Sequence, residues 1–346
     1  MEVVAVTGAS GLVGRFVVDR LLKCGRYKEI RLIDRKPSAR TDADDVRVRP
    51  FVLDLVDEGA LERALNGCNS VVHCAHAAMP WKYIDRKTND DIWRDNLSAT
   101  EALVDTMLRL GVKHLVHVGD AYSALPIEDN YGLGEYVFND YPGNYILGEY
   151  GESHTRAEMY ARNAVARGPS LQGVFLRPVH VYAEQGSSSW ITLMEMAQEG
   201  HVPYVKGDRR GLHQFIYAGN LAAIVDRCLL LLAKEPDRVN SEIVYCVDET
   251  SVIPFRDFLE QRVRSPRFSS QVAISFEKAF LQQSLNYIKH TLGFEVPKNA
   301  LSFTMFRFLF AKTIGFSNRK QRLLLDFVPE TSHEQSMIRP LQMTKE

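Results

Sequence analysis

The segment TGASGLVG, Thr7 to Gly14, carries the clearest fold signal in the sequence. It lies between EVVAVT, an apolar run that predicts a strand, and GLVGRFVVDRLLKCG, whose apolar residues recur at helical spacing. The first glycine permits a tight turn, the second lets the backbone approach a pyrophosphate, and the third allows close packing of helix on strand. The pattern predicts a dinucleotide site at the helix N-terminus; the alternative is a glycine-rich turn without a ligand. The predicted contacts are Gly8, Ser10, Gly11, Leu12 and Gly14.

Strand-like runs alternate with helical patterns through the first half of the chain. SVVHCAH, HLVHVG and GVFLRP read as later strands, and the alternation is typical of a parallel sheet wrapped by helices. After Pro178 the pattern loosens, until QFIYAGNLAAIVDRCLLLLA and EIVYCV resume it. The predicted class is α/β, a Rossmann-type doubly wound parallel sheet with a smaller C-terminal substrate lobe. We expect residues 1–178 plus 213–248 to form the core, and 179–212 plus 249–346 to form the lobe.

The composition excludes several classes of protein. With 346 residues, 45% hydrophobic and 25% charged, the chain has the makeup of a globular protein with a full core. Its net charge of -1 gives no basic surface for nucleic acid, so no nucleic-acid partner is expected. The five cysteines are odd in number and never form a CxxC pair, which predicts buried thiols in a reducing compartment and no metal site.

The sequence predicts a cytoplasmic protein. The opening residues lack the pattern of a secretory signal, and no run reaches the roughly 18 apolar residues of a spanning helix. LSFTMFRFLFAKTIGF, Leu301 to Phe316, is interrupted by Arg307 and Lys312. It predicts one amphipathic helix that covers the core, with contact to a membrane surface as the alternative. Peripheral association with the endoplasmic reticulum membrane is the corresponding alternative location.

Two carboxylates are placed to bind the adenosine part of a dinucleotide. Asp34 lies twenty residues after Gly14, where a carboxylate binds the ribose hydroxyls and repels a 2′-phosphate, so NAD is favoured over NADP. Arg35 and Lys36 follow directly and would tolerate that phosphate. Asp54 lies at the end of VRPFVLDL, the third predicted strand, where it is either a contact of the adenine amino group or a solvated carboxylate.

Collinear motifs resemble those of a known family. The glycine pattern, Asp54-Leu55, VVHCAH, NLSAT and LRPVHVY are similar to an extended short-chain dehydrogenase/reductase. FIYAGNLAA, YCVDETSVIPFRDFL and GFSNRKQRLLLDFVP narrow the resemblance to the 3β-hydroxysteroid dehydrogenase/isomerase family. The resemblance implies NAD-dependent oxidation of a hydroxyl on a small, apolar, sterol-like substrate, followed in some members by isomerisation. It also implies cofactor contacts at Leu55, Ala75 and Pro178, and the expectations include a homodimer and peripheral membrane contact.

The catalytic set departs from the family pattern. The family uses Ser, Tyr and Lys with an assisting Asn; Tyr150 and Asn96 match two of these. The Lys position is His154, in YGESHTRAE, and the Ser position is Asp120, in HVGDAYS. The resemblance places Tyr150, His154, Asn96 and Asp120 at the catalytic centre, and Tyr150 and His154 beside the cofactor. The predicted function is therefore an oxidoreductase with altered helpers, with a catalytically weak or inactive NAD(P)-binding sensor or scaffold as the alternative.

The replaced lysine has an energetic consequence. A phenol with a pKa near 10 needs roughly 3–4 kcal/mol of anion stabilisation to act as a base at pH 7, which a fixed ammonium at ~4 Å supplies. Tyr150 and His154 share one helix face at i and i+4, but an ordinary histidine is only about one-quarter protonated at pH 7. An ionised Asp120 pointing inward would raise the pKa of Tyr150, unless it pairs with His154.

Other aromatic residues have structural alternatives. His73 and His117 lie in strand-like runs, which favours hydrogen-bonded core histidines over metal ligands. His180 either lines the substrate pocket or is structural. Trp81 and Trp190 lie in predicted loops, which either cap an apolar substrate or have no contact with it; the spacing favours neither.

Overall fold

The computed structural model describes residues 2–37, 45–83, 88–135, 142–184, 188–205, 211–263 and 265–338. Its strands are β1 (Glu2–Thr7), β2 (Tyr27–Asp34), β3 (Val48–Val52), β4 (Ser70–His73), β5 (His114–Val118), β6 (Asn130–Leu133), β7 (Gln172–Pro178), β8 (His180–Tyr182), β9 (Leu212–His213), β10 (Phe215–Tyr217), β11 (Ile243–Cys246), β12 (Ile253–Pro254) and β13 (Ile314–Phe316).

The helices within the same residues are α1 (Leu12–Cys24), α2 (Glu58–Leu65), α3 (Asn89–Trp93), α4 (Ala99–Leu110), α5 (Gly148–Ala166), α6 (Ser188–Gln198), α7 (Ala218–Lys234), α8 (Pro236–Val239), α9 (Phe255–Arg262), α10 (Pro266–Ser269), α11 (Phe276–Thr291), α12 (Phe303–Phe306), α13 (Arg319–Leu325) and α14 (His333–Ile338). Two π-helical segments, Arg94–Ser98 and Arg307–Ala311, follow α3 and α12. The sequence predicts a loop at EQGSSSW (residues 184–190) and a turn at KGDRRG (residues 206–211). Residues 185–187 of this loop and residues 206–210 of this turn lie outside the described residues.

Seven strands form one parallel sheet in the order β3-β2-β1-β4-β5-β7-β11, which confirms the predicted fold class. The chain runs outward from β1 to β3 on one side, then returns to β4 and continues to β11 on the other. The direction of winding therefore reverses between β1 and β4. In doubly wound sheets the ligand crevice lies at this point, beyond the carboxyl ends of the strands.

The first crossover forms as the sequence predicts. Along α1, Val17, Val18 and Leu21 are buried on one face, and the helix packs against α7. Gly25 ends the helix in the left-handed conformation with φ of 67°, a geometry that glycine adopts without a Cβ penalty.

A continuous helical stretch runs from α3 to α4 and precedes β5. The sequence predicts a helix over residues 91–110 at this position. Thr88 and Asp91 form a reciprocal capping box at its start, and Gly111 ends it with φ of 67°. The π-helical segment Arg94–Ser98 inserts a wide turn in its middle, which the sequence does not predict. Within this turn Asp95 and Asn96 are both buried although both are polar. π-turns of this kind are frequent at functional sites.

The prediction of one amphipathic helix over residues 301–316 is wrong. Helical structure ends at Ala311, and Ile314–Phe316 forms β13 instead. The reason is a backbone partner from elsewhere in the chain: β13 pairs in parallel with β6, and the Asn130 N–H donates to the Thr313 carbonyl. The prediction that this segment covers the core survives, because Phe306, Phe308 and Leu309 are completely buried.

One apolar core joins the sheet to the C-terminal part of the chain, since residues from β1, α7, α9 and α12 belong to a single cluster. All five cysteines are free, and four of them are buried. Among the described residues, no helix combines the length and apolar character needed to cross a bilayer.

Candidate active site

The glycine loop is shaped as a dinucleotide cradle. Gly8 has φ of 65°, and a Cβ there would lie 2.7 Å from the Ala75 nitrogen. A Cβ at Gly14 would lie 2.1 Å from the Gly8 carbonyl oxygen, whereas at Gly11 the same contact would be 3.1 Å. The N-cap residue of α1, Gly11, makes no side-chain cap hydrogen bond, and its own N–H donates to the Gly8 carbonyl, so no capping side chain occupies the first amide groups of the helix. The loop therefore fits a pyrophosphate held by backbone amides.

At the end of β2, the side chains of Asp34 and Arg35 bind different partners. The two oxygens of Asp34 accept hydrogen bonds from the Ser10 N–H at 3.0 Å and the Lys36 N–H at 3.1 Å, which fixes the carboxylate against the glycine loop. Arg35 points elsewhere and forms a bidentate pair with Asp95, at 2.7 and 2.9 Å. Asp34 fits the ribose hydroxyls of NAD, and Arg35 is engaged away from them.

The remaining predicted cofactor contacts lie along the same edge of the sheet. Asp54 accepts from the Arg94 guanidinium at 2.6 Å and from the Val56 N–H at 3.3 Å, so it is an ion-paired carboxylate, which neither interpretation anticipated. Leu55 is buried in the core. The Ala75 N–H donates to the Thr7 hydroxyl at 3.4 Å, and the Pro178 carbonyl accepts from the Ala121 N–H.

Asn96 connects the cofactor edge to the helix that carries Tyr150. Its Oδ1 accepts from the Ala77 N–H at 2.7 Å, and its Nδ2 donates to the Ser153 hydroxyl at 2.9 Å. Ser153, which the sequence analysis did not single out, in turn donates to the Tyr150 carbonyl. Both ends of the Asn96 amide thus hold protein groups, which makes it a positioning residue.

Tyr150 and His154 lie together as their spacing predicts. Their ring centroids are 4.9 Å apart on α5, both are buried, and His76 lies beside His154 at 5.1 Å. Burial, reinforced by the Asp120 carboxylate, raises the pKa of Tyr150 well above its usual value. Burial, reinforced by neighbouring histidines, lowers the pKa of His154 well below its usual value. The imidazole is therefore neutral near pH 7 and cannot replace the charge of a lysine.

Asp120 faces the same region, but it does not pair with His154 within the described part of the chain. Its Oδ1 accepts from the Tyr122 N–H at 2.7 Å and the Ser123 hydroxyl at 3.0 Å. Burial raises the pKa of Asp120 to about 6, against the lowering effect of these hydrogen bonds. A polar cavity of about 10 Å³ adjoins it, room for about one water. The cavity is lined by Gly119, Asp120, Ser123, Ala124, His154, Thr155, Glu158 and Arg177.

A buried ion pair supports this region, and the sequence analysis did not identify it. The Arg177 guanidinium, at the end of β7, donates twice to the Glu158 carboxylate on α5, at 2.8 and 2.7 Å. Burial alone would raise the pKa of Glu158, but the guanidinium outweighs this and holds the pKa below its usual value. The sequence signal for this ion pair is the position of Glu158, two helical turns after Tyr150 on the same helix.

The histidine and tryptophan predictions have mixed outcomes. His73 is a hydrogen-bonded core residue, with Thr7 at 2.7 Å and Thr100 at 3.0 Å. The prediction for His117 is wrong in part, because both ring nitrogens are buried without a hydrogen-bond partner in the described structure. A metal role is not supported either, since no group of three potential ligands occurs among the described residues.

His180 lies in the aromatic core, with its Nε2 3.2 Å from the His213 Nδ1. Trp190 lies in α6 rather than in a loop, whereas Trp81 lies in a loop as predicted. Their ring centroids are 6.4 Å apart.

The chain is similar to several known proteins. The chain is 25% identical over 284 residues to a 3 beta-hydroxysteroid dehydrogenase/Delta 5-->4-isomerase of vaccinia virus strain Copenhagen, covering 78% of this chain and 80% of that protein. Among solved structures, MoeE5 with UDP-glucuronic acid and NAD has a TM-score of 0.65 at 19% identity, covering 98% of each chain. DesIV, a dTDP-glucose 4,6-dehydratase of Streptomyces venezuelae solved as a double mutant with NAD and DAU, has a TM-score of 0.67 at 18% identity, covering 98% of this chain and 96% of that one.

The structural likeness establishes the fold, and the sequence comparison establishes the family. The model of the 3-beta hydroxysteroid dehydrogenase/isomerase family matches residues 5–277, which include the glycine loop, Asn96, Tyr150 and Arg177. The chain belongs to the 3-beta hydroxysteroid dehydrogenase/isomerase family.

Proposed function

We propose that the protein is an NAD-dependent oxidoreductase that oxidises a hydroxyl on a small, apolar, steroid-like substrate. One observation carries the proposal: hydrogen bonds at both ends of the segment 75–77 connect the glycine loop to the helix that carries Tyr150. They run from Thr7 to Ala75, and from Ala77 through Asn96 to Ser153, one turn from Tyr150. The same edge of the sheet therefore positions a cofactor cradle and a phenol.

The residues of the chain divide the work around the cofactor. NAD, when bound, supplies the acceptor for the hydride. Backbone amides of the glycine loop and the Asp34 carboxylate hold the dinucleotide, and the Tyr150 hydroxyl exchanges a proton with the substrate oxygen. Because His154 is neutral and Asp120 is anionic above about pH 6, formation of the phenolate is disfavoured. We therefore expect slow turnover.

A specific observation also favours the second function, an NAD-binding sensor or scaffold with little or no turnover. Burial and the Asp120 carboxylate raise the pKa of Tyr150 well above its usual value. A sensor would need the cofactor cradle to bind NAD, but it would not need a reactive phenol.

The decisive test compares wild-type protein with Tyr150→Phe. We expect slow NADH formation from NAD with a panel of 3β-hydroxysterols, and a loss of about a hundredfold in Tyr150→Phe, the lower end for a general acid/base. NADH binding, followed by fluorescence, serves as the control because the phenol contributes little to the cradle.

Equal rates in the two proteins would contradict a role for Tyr150. Intact NADH binding without turnover across the panel would support the sensor.

The proposal also includes peripheral contact with a membrane, at α11 rather than at residues 301–316. One face of α11 is buried against the protein, yet apolar side chains recur on the opposite face at i, i+4, i+7 and i+11. These residues are Leu281, Leu285 and Ile288 of α11 and Leu292, which caps its C-terminus, each at least half exposed. Exposed Lys278 and Lys289 flank this stripe, opposed by Glu277. An apolar stripe with a lysine flank is typical of helices that lie in the membrane interface.

Co-sedimentation with vesicles tests this contact. We expect binding to phosphatidylcholine vesicles that rises when phosphatidylserine is included, because the lysines face the headgroups. Leu285→Gln with Ile288→Gln should abolish it without unfolding the protein, since both side chains face solvent. Gln282→Ala, on the same helix, is the matched control. If the wild-type protein instead fails to bind vesicles and dimerises with rising concentration, and the double substitution abolishes the dimer, the stripe belongs to the predicted homodimer interface.

A further inference from the structure

We infer that Asp95 determines the preference for NAD over NADP, by holding Arg35 away from the position of a 2′-phosphate. Asp95 is a positioning residue here, since it acts through Arg35. The inference deepens the proposed function and rests on its dinucleotide cofactor.

The problem arises at the end of β2. A carboxylate at Asp34 favours the ribose hydroxyls of NAD, whereas an arginine nearby accommodates the 2′-phosphate of NADP. Here the arginine follows the carboxylate directly, so the local sequence contains both determinants. Of the two cations that follow Asp34, Arg35 is the nearer in sequence, and the direction of its side chain bears on this choice.

The structure shows where Arg35 is held. Its Nη1 and Nη2 donate in parallel to Oδ1 and Oδ2 of Asp95, the two-point geometry in which arginine binds carboxylates most strongly. The Asp95 side chain is only 6% exposed, whereas that of Arg35 is 47% exposed. Pulling Arg35 toward a phosphate would leave a buried carboxylate without its main partner, which is costly.

Asp95 belongs to a larger group of charges. The Arg94 Nη1 lies 3.5 Å from the Oδ1 of Asp95, and the Arg94 Nη2 donates to the Asp54 carboxylate at 2.6 Å. The order Arg35, Asp95, Arg94, Asp54 alternates in charge and joins the ends of β2 and β3 to the π-turn. Two arginines and two aspartates sum to no net charge, so these four residues together offer a phosphate little attraction while the pairs are intact.

The π-turn explains why Asp95 is available for this role. Asp95 and Asn96 are consecutive and both buried within Arg94–Ser98. Asn96 holds the segment after β4 and the Tyr150 helix, while Asp95 holds Arg35. Neighbouring residues of one wide turn thus organise the nicotinamide side and the adenosine side of the crevice.

Equilibrium binding of NADH and NADPH to the full chain, followed by fluorescence, tests the inference without requiring turnover. In Asp95→Ala the released Arg35 should raise NADPH affinity relative to NADH by about five- to tenfold, the effect of one added charge-assisted contact. Asp95→Ala combined with Arg35→Gln should return the ratio to the wild-type value, because the gain depends on Arg35.

Arg35→Gln in the otherwise wild-type chain keeps the inference falsifiable if Asp95→Ala fails to fold. Because Arg35 is already engaged, its loss should change NADPH affinity by less than about twofold. A larger loss would mean that Arg35 reaches the phosphate in the presence of Asp95, and would overturn the inference. A folded Asp95→Ala protein with an unchanged ratio would overturn it as well. Failure of wild-type protein to bind NADH would instead refute the cofactor of the proposed function.

Discussion

Replacing Arg177 with methionine is expected to lower the free energy of unfolding by about 3–5 kcal/mol, the usual cost of removing one partner from a buried ion pair. Arg177 and Glu158 are both buried, and the guanidinium donates two hydrogen bonds to the carboxylate. Without Arg177, the buried Glu158 carboxylate loses both hydrogen bonds and is left with the more distant and more exposed Arg162 guanidinium. Urea unfolding followed by circular dichroism measures the change.

Arg162→Met is the matched control for this substitution. Arg162 approaches the same Glu158 oxygen at 3.8 Å, but its side chain is 39% exposed. Its loss should therefore cost no more than about 1 kcal/mol. Similar losses in the two variants would show that burial does not govern the strength of the pair.

The pH dependence has a definite sign. In wild-type protein the Glu158 pKa lies below its unfolded value of about 4.3, so the pair's contribution is complete above that pH and is lost as pH falls through the folded pKa. In Arg177→Met, burial should instead raise the Glu158 pKa, and stability should fall as pH rises past the unfolded value. The difference between the two proteins should therefore be smallest in acid and grow toward neutrality.

Joint replacement of His154 by lysine and Asp120 by serine is expected to raise kcat/KM by about 10²- to 10³-fold. The estimate follows from the roughly 3–4 kcal/mol that a phenol needs to act as a base near pH 7. Neither single change should suffice. In His154→Lys the new ammonium shares the cavity lining with Asp120 and Glu158, whose charges offset its effect on Tyr150. In Asp120→Ser no cation is present near the phenol.

A double-mutant cycle on kcat/KM measures this coupling. The same two substitutions in a Tyr150→Phe background are the control, and they should give no gain. A full gain from His154→Lys alone would show that Asp120 does not oppose the phenolate. Strictly additive single effects would show that the two positions act on different steps.

The local parts of the fold could be predicted from the sequence because short-range rules determine them. Gly14 is required by backbone contacts within the loop, and Gly8 by the backbone of residues 74 and 75 after β4; the glycine spacing in the sequence indicates both positions. The placement of Tyr150 and His154 on one face of α5 follows from helical periodicity alone.

The missed features depend on partners distant in sequence. Because Arg35 directly follows Asp34, the sequence suggested that Arg35 contacts a phosphate. In the fold Arg35 instead pairs with Asp95, which lies sixty residues later in the chain. Residues 314–316 form a strand because β6, far earlier in the chain, offers its backbone. The neutral state of His154 follows from burial among other histidines, which come from different strands and loops.

The π-turn at Arg94–Ser98 has a consequence for how this site can vary among relatives. A turn that is wider than an α-helical one can be created or lost by inserting or deleting a single residue. Loss of one residue there would rotate Asp95 and Asn96 together, away from Arg35 and Ser153. The deletion of a single residue would therefore change both the choice of cofactor and the alignment of the helix that carries Tyr150. A descendant of this chain that lost the turn would forfeit both properties at once, and relatives should keep or lose them as a unit.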